Sequence, residues 1–102
     1  MVHVIAVITA KPGQRGTLLT HFLANVPAVR AEKGCIEYGA AFDADPALGF
    51  QTKCGPDTYL VIEKWESMEA LKAHAAAPHM AAFAAKAKEF IANRVIHILQ
   101  PA

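Results

Sequence analysis

The residues best able to do chemistry lie between positions 61 and 80. Val61-Ile-Glu-Lys-Trp-Glu-Ser67 holds the only Trp, with Glu63 two residues before it. His74 and Ala77-Pro-His-Met80 follow, so this stretch contains two of the five His. An imidazole exchanges protons near neutral pH, a carboxylate can orient it, and an indole offers a flat apolar wall. His74, His79 and Glu63 are therefore candidate acid–base residues, and Trp65 a candidate platform for a ring. Each also has a structural alternative: core packing for Trp65, a surface or interface ion pair for Glu63, a hydrogen-bonded core position for His74, and a helix start for His79. His3, His21 and His97 are scattered and read as structural.

Other chemistries lack their patterns. No His pair has HxxxH or HExxH spacing, and Cys35 and Cys54 form neither a CxxC nor a Cys/His set, so no metal site is expected. They read as reduced thiols. There is no Gly-rich phosphate loop and no assignable Ser-His-Asp signature. The formal charge of +1, without a Lys/Arg cluster, argues against a nucleic-acid partner. No apolar run approaches the ~20 residues of a membrane span. No signal peptide is recognisable, so a cytoplasmic location is expected.

The elements that must position these residues follow from periodicity. β-Branched residues over 2–9 predict a buried strand, broken by Pro12-Gly13. Leu18, Leu19, Phe22, Val26 and Val29 predict a helix over 14–33 that Pro27 should kink or restart, with Gly34 as its left-handed terminus. Strands are predicted over 35–43 and 57–66, then a helix capped by Ser67 and running to about 76. A further helix is expected over 79–92 and a last strand over 94–100. The order β-α-β-β-α-β over a single domain, 1–102, predicts an α+β, ferredoxin-like fold: a four-stranded antiparallel sheet with helices on one face.

Tyr59, Val61, Glu63 and Trp65 should share one face of the third strand, and Leu60, Ile62 and Lys64 the other. Met68, Leu71, His74 and Ala75 form a helical stripe, with His79 and Phe83 on a matching one. If those stripes face Trp65, Glu63, Trp65, His74 and His79 converge on an apolar pocket suited to a small molecule. Helices cover only one face of the sheet, and the chain is 54% hydrophobic with mean hydropathy +0.24. A homodimer burying the other face is the expected remedy.

Val4-Ile-Ala-Val-Ile8, Lys11-Pro-Gly-Gln14, Glu32-Lys-Gly-Cys35, Ile62-Glu-Lys-Trp-Glu-Ser67, Ala73-His74, Pro78-His-Met80 and Ile98-Leu-Gln-Pro101 together resemble the antibiotic-biosynthesis monooxygenase superfamily. The nearest branch is the small bacterial quinol monooxygenases. The resemblance implies a dimeric α+β barrel whose subunits oxidise quinols or related hydroxylated aromatics with molecular oxygen, using no cofactor. It implies His74 or His79 as base, Glu63 orienting an imidazole, and Trp65, Tyr38, Tyr59, Met80 and Phe83 as substrate-binding walls. An imidazole, with an ordinary pKa of about 6.5, suits removal of a phenolic proton.

Two departures narrow the resemblance. Aromatic-polyketide oxygenases of the superfamily pair a pocket Asn with the strand Trp, whereas Val61 stands four residues before Trp65. Haem-degrading members use an Asn and a His where Ala6 and Ala84 stand here. The alternatives are a cofactor-free isomerase of a small phosphorylated diketone and a non-catalytic quinone-binding module. The isomerase needs a cationic phosphate clamp, and the third strand offers only Lys64, on the face opposite Trp65.

Overall fold

A computed structural model describing residues 1–102 shows the first β-branched run as the central strand β1 (Val2–Ala10), buried at every second residue. The chain continues through α1 (Arg15–Arg30), β2 (Cys35–Ala41), β3 (Thr58–Trp65), α2 (Met68–Ala75), α3 (Pro78–Ala87) and β4 (Ile91–Leu99). Strand order is β2-β3-β1-β4, with every pairing antiparallel. This is the ferredoxin-like arrangement expected from the sequence.

The core lies between the sheet and the helices. Leu18, Phe22, Val26 and Val29 of α1 cluster with Val4, Ala6 and Ile8 of β1 and with Tyr59, Val61 and Trp65 of β3. Fully burying a large apolar side chain contributes about 1.5–3 kcal/mol, so this layer fixes where the helices sit. The opposite face carries Ile5, Val7, Leu60, Ile62, Val95 and Leu99, none of them fully buried. Nothing within the chain covers it.

Two local features bring the α1–β2 turn against α2. Gly34 has φ +84, and a Cβ there would lie 2.6 Å from that of Ala70 on α2, so glycine permits both the turn and the approach. Ser67 caps α2, its hydroxyl accepting a 3.1 Å hydrogen bond from the Ala70 amide.

The structure differs from the sequence expectations at several boundaries. Pro27 does not restart α1: one helix runs to Arg30, and the Ala31 amide still donates to the Pro27 carbonyl at 3.1 Å. The helix stops short of the expected 33, so Gly34 belongs to the turn after it and not to its terminus. The buried stripe is continuous across Pro27, and packing along it holds the helix together. The helix expected to reach 92 ends at Ala87, followed by a 3₁₀ turn (Lys88–Phe90) and an earlier β4. Pairing decides this, because Ile91 sits opposite Ala10 and the Lys11 amide donates to the Phe90 carbonyl at 2.8 Å. In β2 a register shift between Cys35 and Glu37 leaves Ile36 half exposed, and the strand ends before Phe42.

Candidate active site

Strand alternation places Glu63 and Trp65 on the helix-facing side of β3, both buried. The Trp65 indole N–H donates to Glu63 Oε1 at 2.9 Å. α2 then lays the His74 ring over Trp65, with centroids 4.6 Å apart, while Tyr38 meets the same ring edge-on at 5.5 Å. His74 Nδ1 lies 2.8 Å from Glu32 Oε2, in the turn that Gly34 brings against α2. Because an ionised carboxylate only accepts, this contact assigns the Nδ1 proton to His74. The neutral ring then presents Nε2 as a free lone pair, 3.9 Å from Glu63 Oε1. That gap is too long for a hydrogen bond, and it lies on the cavity wall.

The cavity, about 920 Å³, lies between the sheet and α2–α3 and is lined mostly by apolar residues. Tyr38, Tyr59, Glu63, Met80 and Phe83 line it as expected, together with His74. Phe22 organises the inner wall, stacking on Tyr38 at 5.4 Å and meeting Phe83 edge-on at 6.3 Å. The Asn25 side-chain amide steadies Met80 through its sulfur at 3.4 Å.

Burial, with the Glu32 charge adding to it and the Trp65 hydrogen bond opposing it, pushes the Glu63 carboxyl up from its ordinary value. Burial likewise pushes the Tyr59 phenol up to about 12 and raises Tyr38 further, the nearby Glu63 adding to the shift at Tyr38. Both phenols are neutral hydrogen-bonding groups at physiological pH.

Two residues expected in the pocket stand elsewhere. Trp65, at 0% exposure, lies behind the wall, where His74 separates it from the cavity. His79 belongs to the stripe His79, Ala82, Phe83 and Lys86 that faces α1, and with His21 and Asn25 it lines a separate cavity of about 170 Å³. Helical periodicity separates it from Met80, Ala84 and Ala87, which face the large cavity. His79 Nε2 still comes within 3.4 Å of Glu32 Oε2, yet both ring nitrogens are buried without a hydrogen-bond partner. Lys64 is on the far face, paired with Glu37 at 3.2 Å.

Glu32 is the site residue that the sequence reading did not single out. It is 42 positions from His74, and the sequence marked it only as the first residue of the Glu32-Lys-Gly-Cys35 run that carries the family resemblance, with no role attached. Lys72, Lys88 and Arg94 also line the cavity, from elements other than β3. No three His, Cys, Asp or Glu side chains are grouped so as to hold a metal ion.

The domain is thus ferredoxin-like, with an apolar cavity and an imidazole held by a carboxylate at its inner corner. The chain belongs to the antibiotic biosynthesis monooxygenase family, whose model matches residues 1–86. It is 40% identical over 103 aligned residues, 99% of this chain and 98% of the other, to "Probable quinol monooxygenase YgiN" of Escherichia coli. Among solved structures it is similar to PA3566 from Pseudomonas aeruginosa, at 28% identity and TM-score 0.82, over 99% of this chain and 93% of that one. It is also similar to Rv0793 from Mycobacterium tuberculosis, at 26% identity and TM-score 0.81, over 99% and 94%.

Proposed function

We propose that this protein is a cofactor-independent monooxygenase of quinols or related hydroxylated aromatics. The observation that carries the reading is the corner at which Glu32 orients His74 and leaves Nε2 free beside Glu63 on the wall of an apolar cavity. Support also comes from the family and from the E. coli relative, a probable quinol monooxygenase.

His74 Nε2 removes a phenolic proton, and Glu32 stabilises the imidazolium through the Nδ1 hydrogen bond. Glu63, held by Trp65, and the neutral Tyr38 and Tyr59 are the polar groups left to orient the ring. The quinolate gives one electron to oxygen, and the resulting semiquinone and superoxide recombine within the apolar walls. For a quinol with a free ring position, quinol plus oxygen then gives hydroxyquinone plus water. Escape of superoxide would instead end in quinone and hydrogen peroxide. The proposal includes a homodimer through the Ile5–Ile62 face and a cytoplasmic location; no helix is long and apolar enough to cross a membrane.

The test is oxygen uptake by metal-free protein with a panel of reduced naphthoquinols, against autoxidation without protein. Uptake well above that control, lost in His74→Ala, is expected; uptake equal to it refutes the reading. The isomerase alternative has one observation in its favour, the three cations on the cavity wall. Turnover of phosphorylated diketones without oxygen consumption would establish it.

A further inference from the structure

The pairing registers turn the floor of the cavity into a grid. One row runs Tyr38, Glu63, Val4, Ile98 across β2, β3, β1 and β4; the next runs Val61, Ala6, Ile96; the third runs Tyr59, Ile8, Arg94. Glu63 and Arg94 therefore occupy opposite corners. Two rows are about 13 Å along the strands and two strand spacings about 10 Å across, so their Cα atoms are roughly 16 Å apart. Between them lies Ala6, flanked by Val61 and Ile96, and Ala81, Ala84 and Ala87 of α3 line the cavity too. Small residues on both walls leave a slot for a flat, fused ring system.

The charges in this slot are one-sided. Three of the ten Lys and Arg line it, against one of the nine Asp and Glu, and that one, Glu63, is buried at the His74 corner. Lys88 lies in the turn entering β4, beyond the Ile8 row and at the same end as Arg94. Neither forms a salt bridge within the chain. In a protein of net charge +1 this gives local positive potential at the cavity's exposed end, where neither cation is ion-paired.

We propose that the Lys88–Arg94 end of the cavity binds an anionic group, a carboxylate or a phosphate ester, on an aromatic substrate whose reacting hydroxyl lies at the His74 corner. This rests on the quinol reading and adds to it the substrate class: a fused-ring hydroxyaromatic with its anion at the end remote from the reacting oxygen. The guanidinium of Arg94 can take either oxyanion in a fork geometry, with the Lys88 ammonium as a second donor.

The test is calorimetric binding of unreactive probes at low ionic strength. 6-Hydroxy-2-naphthoate places hydroxyl and carboxylate at opposite ends, 3-hydroxy-2-naphthoate places them side by side, and 2-naphthol has no anion. The first should bind about tenfold more tightly than 2-naphthol, the scale of one charge-assisted hydrogen bond. The adjacent isomer should gain little, since its carboxylate would fall beside Glu63. Arg94→Gln and Lys88→Gln, singly and together, should erase the preference while leaving the affinity for 2-naphthol and the melting temperature unchanged. 6-Hydroxy-2-naphthyl phosphate, run beside the carboxylate, shows which oxyanion the end prefers. Equal affinities, no binding by any probe, or a preference that survives the double substitution overturns the anion site. Oxygen uptake is read separately: charge preference without uptake sinks the oxygenase reading alone, and uptake without charge preference sinks the anion site alone.

Discussion

The two ends of the cavity are built on opposite terms. At the inner corner Trp65, His74, Glu63 and Tyr38 are all buried, His74 meeting both Trp65 and Tyr38 and Trp65 holding Glu63, with Glu32 closing the set from the α1–β2 turn. Along the β4 side Arg94, Ile96 and Ile98 line the same cavity but are exposed, and at its far end Lys88 and Arg94 have no ionic partner. Proton transfer needs one tautomer held in one orientation, which packing and a hydrogen bond supply. Entry of a ligand needs surface that can still give up water. Under the proposed function, chemistry falls where the protein is closed and selection where it is open.

The contrast breaks most visibly at His74. His74→Ala should lower kcat for quinol oxidation by roughly 10²- to 10⁴-fold, measured by oxygen uptake in a variant shown to be folded by its near-native circular dichroism. Full turnover would remove the inner corner from the mechanism. Trp65→Ala should destabilise by about 3–5 kcal/mol in urea, as truncation of a fully buried aromatic does. Ile96→Ala on the open β4 side, 47% exposed, should cost under about 1 kcal/mol. Similar losses at the two positions would erase the distinction between closed and open ends.

Glu32 sharpens the comparison because it contacts His74 at 2.8 Å without itself lining the cavity. Glu32→Ala should lower kcat about tenfold or more and leave KM within roughly twofold, since the imidazole loses its orientation while the cavity keeps its walls. A folded variant with full kcat would show that His74 needs no partner.

The smallest effect is in pH dependence. Burial raises the Glu63 carboxyl above its ordinary 4.5, so as pH rises the unfolded chain ionises before the folded one. The stability this group contributes is complete below that ordinary value and is lost as pH climbs through the raised one. Urea denaturation of wild type against Glu63→Gln should therefore show a decline above about pH 4.5 in their stability difference. A flat difference would mean that Glu63 is no harder to ionise in the folded protein.

Much of the inner corner was legible in the chain. Alternation along β3 puts Glu63 and Trp65 on one face, and the stripe after Ser67 puts His74 on the packed side, because side-chain direction follows directly from local backbone period. His79 shows the limit of that logic. Its stripe was visible, but which neighbour the stripe faced depended on how α3 settles between α1 and the sheet, and it faces α1.

Short segments of the chain settled the element order, the cap at Ser67, the positive φ at Gly34 and the face of β3 that carries Glu63 and Trp65. The tertiary structure alone decided that Glu32 meets His74 across 42 residues, that Trp65 lies behind the wall, and that cations from α2, the 3₁₀ turn and β4 line one slot. Contacts of that kind are set by sheet register and by how helices pack on it, and neither leaves a periodic trace in the residues that meet.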